Sequence, residues 1–141
     1  MLKLLVPVDG SENSTRLADY LVKWLERLAE PAEIHLINVQ PALHGEIGMF
    51  ISKDQIRDYH HDEGTKALQV ARDRLDQAEV HYTFHISVGD PAEVIVQFAT
   101  EHHCDQIVMG TRGMGKFASL LLGSVASKVI QLADIPVMLL K

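Results

Sequence analysis

Cysteine, aromatic residues and positive charge are all scarce in this sequence of 141 residues. A single cysteine, Cys104, excludes an internal disulfide and a zinc site made of several thiolates. The 13 Lys and Arg face 19 Asp and Glu, which gives a net charge of -6. Because nucleic-acid binding needs a basic face, and no basic stripe with interleaved aromatics occurs, general nucleic-acid affinity is not expected.

Two further features are missing: a long apolar run and a clustered set of metal ligands. No segment approaches the roughly 20 apolar residues of a membrane helix, and the N-terminus lacks a signal-peptide layout. The eight histidines are scattered, and adjacent ones do not share a helix face, so surface or half-buried histidines are expected rather than a metal site. We therefore expect a cytoplasmic protein with no membrane insertion.

The composition and the apolar pattern predict one α/β domain over residues 1–141. An apolar fraction of 47% suffices for a core. The apolar period switches repeatedly between that of a strand and that of a helix. Strands are predicted at 2–8, 34–39, 80–88, 106–109 and 135–140, and helices at about 14–29, 56–78, 91–99 and 124–132. This alternation predicts a parallel sheet with helices on both faces.

Three of these elements carry more detailed expectations. Residues 80–88 alternate between apolar and polar side chains, which predicts an edge strand with one wet face. Gly64 lies within the second helix, where glycine costs roughly 1 kcal/mol relative to alanine. The sequence Asp90-Pro91-Ala92-Glu93 predicts a helix start with a capping side chain.

A glycine-rich segment follows the fourth predicted strand. Gly110, two residues, Gly113, nine residues, and then Gly123 and Ser124 lead into the last helix. Glycines let a backbone approach a ligand and turn its N–H groups inward, and a helix start adds partial positive charge. The set predicts a phosphate cradle. It is not a Walker A loop, because Phe117 stands where a Ser or Thr must reach Mg²⁺.

The first strand ends in a second candidate segment, Val8-Asp9. Ligands of open parallel sheets bind beyond the strands' C-terminal ends, where the strand order reverses. If the first strand is central, Val8-Asp9 and Met109-Gly110 meet at one crevice. Asp9 can accept a hydrogen bond from a hydroxyl or an adenine amine, or help to hold Mg²⁺. The alternative is that Asp9, or Ser11, only caps the first helix.

Taken together, these segments resemble the universal stress protein family. The resemblance rests on Pro-Val-Asp-Gly-Ser at 7–11, Val39, Gly-Asp-Pro at 89–91 and the glycine signature, and it covers essentially the whole chain. It implies a single-domain, open five-stranded parallel sheet of order 3-2-1-4-5, Rossmann-like and similar to adenine-nucleotide α-hydrolases. It also implies a homodimer formed through the last strand, and ATP binding in members that carry the signature.

The resemblance further assigns roles to residues. Ribose and phosphates are held by Gly110, Arg112, Gly113, Gly123 and Ser124, while Asp9 and the Val39 main chain face the nucleoside. The nucleotide-binding set is Pro7, Val8, Asp9, Val39, Met109, Gly110, Arg112, Gly113, Gly123, Ser124 and Val125, with Mg²⁺ near Asp9. The dimer set is Ile135, Val137, Met138, Leu139 and Leu140, which form an apolar edge that pairing would cover.

Three functions remain open at this point. The first is an ATP-binding regulatory or sensor module of the stress response, with residues 40–52 as a lid. The second is a slow ATPase or self-phosphorylating enzyme, with Thr111, Ser119 or Ser124 near the phosphates. The third is a structural dimer that regulates a transporter or kinase. Because no nucleophile elbow or catalytic carboxylate pair is evident, the first is favoured.

Overall fold

The computed structural model describes residues 1–43, 50–111 and 122–141. Strands and helices alternate along the chain within these ranges. They are β1 Leu2–Pro7, α1 Asn13–Leu25, β2 Ala32–Gln40, α2 Lys53–Gln77, β3 Tyr82–Val88, α3 Pro91–Glu101, β4 Gln106–Gly110, α4 Ser124–Leu132 and β5 Val137–Leu140.

The five strands form one parallel sheet in the order β3-β2-β1-β4-β5, which confirms the predicted order. β1 pairs with β2 along its whole length, from Leu2 to Pro7. Its pairing with β4 extends over only Leu4 and Leu5. The strand order reverses between β1 and β4, so a crevice opens where these two strands separate.

Each face of the sheet has its own hydrophobic core. α1 and α2 cover one face, where Leu4, Val6 and Leu36 are buried. α3 and α4 cover the other face, where Leu5 and Ile107 are buried. Neighbouring residues of β1 thus contribute to opposite cores, as the alternation of side chains along a strand requires.

Cys104 lies within the core that α3 and α4 cover, where it is 5% exposed. Burial raises the pKa of its thiol, because the thiolate would be poorly solvated there. The cysteine is therefore a small core residue.

Some element boundaries differ from those predicted. α1 ends at Leu25 rather than near residue 29, because the chain tightens into i→i−3 turns in which Arg27 N–H donates to Trp24 O and Leu28 N–H to Leu25 O. β5 begins at Val137, two residues later than predicted. α4 has the predicted bounds, 124–132.

Gly64 is buried in α2 against β3, and this contact explains why glycine occupies the middle of a helix. A Cβ at this position would lie 2.5 Å from Ile86 Cγ2 and 2.9 Å from Ile86 Cγ1. Such distances are well inside van der Waals contact. The glycine therefore allows the α2 backbone to approach the sheet closely.

We predict that Gly64→Ala destabilises the protein although alanine is the better helix former. Overpacking of a filled core costs about 1–3 kcal/mol, which matches or exceeds the roughly 1 kcal/mol gained in helix propensity. Urea denaturation would measure the change in the free energy of unfolding. In the double variant with Ile86→Ala, the alanine at position 64 should lower the free energy of unfolding by less, because the larger Ile86 side chain no longer occupies its space. A single variant more stable than the wild-type protein would contradict this explanation.

β3 is an edge strand, as predicted, but its polar face is only partly exposed to solvent, because Thr83 is exposed whereas His85 and Ser87 are half-buried. Phe84 and Val88 of the apolar set are 40% and 47% exposed. His85, on the opposite face, is half-buried beneath α3, with its ring centroid 4.6 Å from that of Phe98. The ring of His102 stacks on Phe98 at 3.8 Å. α3 thus covers the polar side of β3 at His85 and leaves Thr83 exposed.

Beneath α3, His85 meets a second histidine on β2. His35 Nδ1 lies 3.1 Å from His85 Nε2 and 2.9 Å from Thr83 Oγ1. His35 Nε2 lies 2.7 Å from Glu33 Oε1, and this hydrogen bond lowers the pKa of the Glu33 carboxyl. Because the carboxylate accepts, His35 Nε2 carries hydrogen and its Nδ1 is the acceptor when the ring is neutral.

This arrangement predicts a pH-dependent stability. Burial, together with the charges of His35 and His102, lowers the pKa of His85 below its unfolded value. The unfolded chain then binds more protons, so stability falls as the pH drops through the unfolded pKa of about 6.5 and levels off below the folded one.

The thermal midpoint of the wild-type protein should therefore decrease between pH 7.5 and pH 5, and that of His85→Phe should decrease less. The variant keeps a ring against Phe98 and leaves Thr83 as a donor to His35. The exposed His81 provides the control, since His81→Gln should retain the wild-type slope. Identical slopes for the wild-type protein and His85→Phe would show that His85 does not contribute.

Candidate functional site

A cavity of about 840 Å³ opens at the C-terminal edge of the sheet. Its base is formed by the ends of β1, β2 and β4. α1 and α2 line it on one side, and the starts of α3 and α4 line it on the other. Cavities of this size accommodate small organic ligands.

Most residues that the sequence predicted for the site surround this one cavity. They are Pro7, Val8, Asp9, Val39, Met109, Gly110, Gly123, Ser124 and Val125. Arg112 and Gly113 lie outside the described residues. The structure therefore brings together two segments that are about 100 residues apart in the chain, and their role in binding remains a prediction.

Several other lining residues were missed by the sequence analysis. They are Gly10, Asn13, Ser14, Leu17, Ile37, Asn38, Gln40, Pro41, Glu63, Lys66, Ala67, Pro91, Ile95 and Ala126. Thr111, which the sequence analysis named as a candidate near the phosphates, also lines the cavity. Asn38 and Gln40 had a usable signal, since they are polar residues at the end of an otherwise apolar strand. Glu63 and Lys66 had none, because the sequence does not show which part of α2 reaches the sheet edge.

Asp9 stands at the mouth of the cavity and is exposed. Its Oδ1 accepts from Ser11 N–H at 2.9 Å and lies 3.5 Å from Ser14 Oγ. Glu12, the N-cap residue of α1, makes no side-chain cap. The carboxylate thus orders the turn into α1 with one oxygen, and its Oδ2 accepts no hydrogen bond from the described residues.

Gly10 follows in a left-handed conformation, with φ of +80°. A Cβ at this position would lie 2.9 Å from Ala67 Cα. Both the backbone conformation and the close approach to α2 therefore require glycine. The contact packs α2 against the turn that follows β1.

The N-terminus of α4 provides a different kind of wall. Its N-cap residue, Gly123, has no side chain, and Ser124 lines the cavity. Gly123 N–H donates to Thr111 O, which holds the helix start beside the end of β4. The first N–H groups of a helix have no partners within it, and they carry partial positive charge. This end of the cavity is therefore suited to an anion.

An ion pair connects α4 to α3 beside the cavity. Lys128 Nζ lies 3.0 Å from Asp90 Oδ2 and 3.4 Å from Glu93 Oε1. Asp90 also accepts from Glu93 N–H as the N-cap of α3, which confirms the predicted helix start. The Lys128 hydrogen bond lowers the pKa of Asp90, and the same bond raises that of Lys128. The starts of both helices are thus held in one arrangement.

The charged lining of the cavity in the described part of the chain consists of Asp9, Glu63 and Lys66. Lys66 Nζ lies 3.5 Å from Glu63 Oε1. No three His, Cys, Asp or Glu side chains in ranges 1–43, 50–111 and 122–141 are arranged to hold a metal ion. Within the same ranges, none of the helices has the length and apolarity needed to cross a membrane.

Comparison with known proteins agrees with this architecture. The model of the universal stress protein family matches residues 1–141. Universal stress protein MJ0531 of Methanocaldococcus jannaschii is 32% identical over 142 residues, which covers 99% of this chain and 81% of that protein.

Solved structures share the fold over nearly the whole chain. MJ0577 of Methanocaldococcus jannaschii superposes with a TM-score of 0.81 at 25% identity, covering 99% of this chain and 94% of that one. A universal stress protein in complex with cAMP superposes with a TM-score of 0.71 at 25% identity, covering 99% and 97% of the two chains.

Proposed function

The chain belongs to the universal stress protein family, and we propose that the cavity at its sheet edge binds an adenine nucleotide, with ATP as the ligand. The observation that carries this proposal is that one cavity has two chemically different ends. One end offers the N-terminus of α4, and the other offers the main chain of β2 at Val39. The first suits phosphate and the second suits a base. The relative solved with cAMP supports the same ligand class.

At the phosphate end, the ligand would meet main-chain donors rather than bulky side chains. Gly110 and Gly123 border this part of the cavity, and Ser124 adds a hydroxyl donor. Arg112 and Gly113 are assigned here by the family resemblance alone.

At the nucleoside end, apolar groups enclose the base and polar groups orient it. Pro7, Val8, Met109 and Val125 provide the apolar surface. Asp9 Oδ2, which accepts no hydrogen bond from the described residues, can accept a hydroxyl or amine hydrogen. Mg²⁺ is bound mainly by phosphates and water, with one or two protein carboxylates. Asp9 can supply one carboxylate, so any Mg²⁺ would arrive with the nucleotide.

We propose that nucleotide binding regulates the protein rather than fuels a reaction. Among the described lining residues, a base lies near a hydroxyl at Asp9 and Ser14, but Asp9 Oδ1 already accepts from Ser11 N–H, and Ser14 is buried. Catalysis of phosphoryl transfer would require a base that is free to activate an accessible nucleophile. The lid predicted at 40–52 lies partly outside the described residues. A sensor in the stress response, working through a change in shape or partner, fits a binding site of this kind.

The test is calorimetric titration of the wild-type protein and of Ser124→Ala with ATP and adenosine. A hydrogen bond to a charged group contributes about 1.5 kcal/mol or more, so the variant should bind ATP roughly tenfold more weakly. Adenosine lacks phosphate, and its affinity should not change. Ser127→Ala is the matched control, since Ser127 is on α4 but does not line the cavity. Failure of the wild-type protein to bind ATP, AMP or adenosine would refute the proposal.

We also propose that β5 pairs with its counterpart in a second copy of the chain. Ile107 N–H donates to Pro136 O and Thr111 N–H to Leu140 O, so residues 136 and 140 face β4. By alternation, the main-chain groups of Val137 and Leu139 face the open edge. Ile135, Met138 and Leu140 complete the apolar segment. An open apolar edge favours strand pairing.

Leu139→Pro should separate the dimer without breaking the bonds between β4 and β5. The substitution removes an N–H that faces the open edge, where proline is tolerated. Light scattering should give twice the monomer mass of 15.7 kDa for the wild-type protein and the monomer mass for the variant. Leu139→Ala, which shortens the side chain but keeps the N–H, should remain dimeric. A dimeric proline variant with an unchanged circular dichroism spectrum would exclude this edge as the interface.

A further inference from the structure

The end of β1 is held to β2 by a side chain in place of a backbone hydrogen bond. Val8 N–H donates to Ile37 O at 2.9 Å, continuing the β1–β2 ladder one residue past β1. In a regular parallel ladder, Val8 O would accept next from Val39 N–H, two residues further along β2. Here Val8 O accepts from Asn38 Nδ2 at 2.8 Å. Among the described residues, no backbone bond joins Val39 to Val8.

The Asn38 amide is locked in one orientation. Val8 O can only accept, so the amide nitrogen must face it. Asn38 Oδ1 in turn accepts from Gln40 Nε2 at 2.6 Å. Gln40 is itself fixed, because its main-chain oxygen accepts from Gly89 N–H at 2.9 Å. The amide is 3% exposed, so its hydrogen bonds are shielded from water.

Asn38 occupies a position on β2 where an apolar residue would be expected from the core packing. Ile34 and Leu36 precede it on the same face of β2, and each is 1% exposed. A buried amide costs free energy unless it is hydrogen-bonded. The apolar series is therefore interrupted at the one residue that can replace the next rung of the ladder.

The replacement leaves the main chain of Val39 facing the cavity. Residues two apart on a strand direct their N–H and C=O groups to the same side, so Val39 faces the side that Ile37 faces. On that side β1 has already turned away at Asp9 and Gly10. Val39 lines the cavity, and it thus presents an adjacent donor and acceptor there.

We propose that Asn38 is a positioning residue of this site: its side chain takes the hydrogen bond that Val39 N–H would otherwise make, and so keeps the Val39 main chain open to a ligand. The identity of that ligand as an adenine nucleotide rests on the function proposed above. The replacement of the ladder bond by the Asn38 side chain does not rest on that function, and it can be tested in the protein without any ligand.

The experiment is amide hydrogen exchange measured by NMR, on the wild-type protein and on Asn38→Leu, with and without AMP. In the wild-type protein without AMP, the Val39 amide should exchange much faster than the neighbouring ladder amide of Ile37. AMP should slow it. In Asn38→Leu the ladder can close, so the Val39 amide should be protected without AMP, and the affinity for AMP should fall about tenfold because one or more hydrogen bonds to the ligand are lost.

A second variant covers the case in which Asn38→Leu does not fold. Gln40→Met leaves Asn38 in place but removes the donor that orients its amide. Like Asn38→Leu, it should slow exchange of the Val39 amide and weaken AMP binding, but both changes should be smaller. Gln97→Met is the matched control, because Gln97 Nε2 makes one bond, to Glu101 on α3, and does not line the cavity. It should change neither quantity.

Two results would overturn the role of Asn38. One is a Val39 amide as protected as that of Ile37 in the wild-type protein without AMP. The other is a Val39 exchange rate that does not change in the folded variants. Weak AMP binding by such variants would then be a general structural effect rather than a loss of the open Val39 main chain. A wild-type protein that binds no AMP would count against the proposed ligand, and the exchange rates without AMP would still decide the role of Asn38.

Discussion

The cavity depends on the unequal pairing of β1 with its two neighbours. β1 follows β2 along its full length but pairs with β4 only at Leu4 and Leu5. The chain crosses over between these strands, so no loop returns to fill the gap at their C-terminal ends. Asp9 at the end of β1 and Gly110 at the end of β4 both line the cavity at that gap. The glycine signature is useful because it lies beside an opening that the sheet topology creates.

Features of the fold with strong local signals could be predicted from the sequence. The cap at Asp90, the bounds of α4 and the strand order, through the family resemblance, were all predicted correctly. Features set by tertiary packing could not. The sequence around Gly64 does not show whether this glycine weakens a helix or allows close packing against Ile86. Likewise, the alternation of residues in β3 does not reveal that α3 covers His85. For the site, the segments at both strand ends were found, but the α2 wall was not.

Polar residues on β2 illustrate how the protein places hydrogen-bonding groups inside a parallel sheet. His35 is buried under α3, where Glu33, Thr83 and His85 satisfy it. Asn38 is buried on the opposite face, where it bonds to Val8 O and Gln40. Both sets are paired within the sheet. The first is predicted to make stability depend on pH, and Asn38 of the second lines the cavity, so the same strand carries two polar clusters with different consequences.

The bond between Gly123 N–H and Thr111 O has a consequence for sequence variation. It fixes the two ends of segment 112–121 next to each other, so the position of α4 does not depend on how long that segment is. The entropy of closing a loop changes only with the logarithm of its length. Insertions and deletions between these two residues are therefore tolerated energetically, and the sequence there can change without displacing α4.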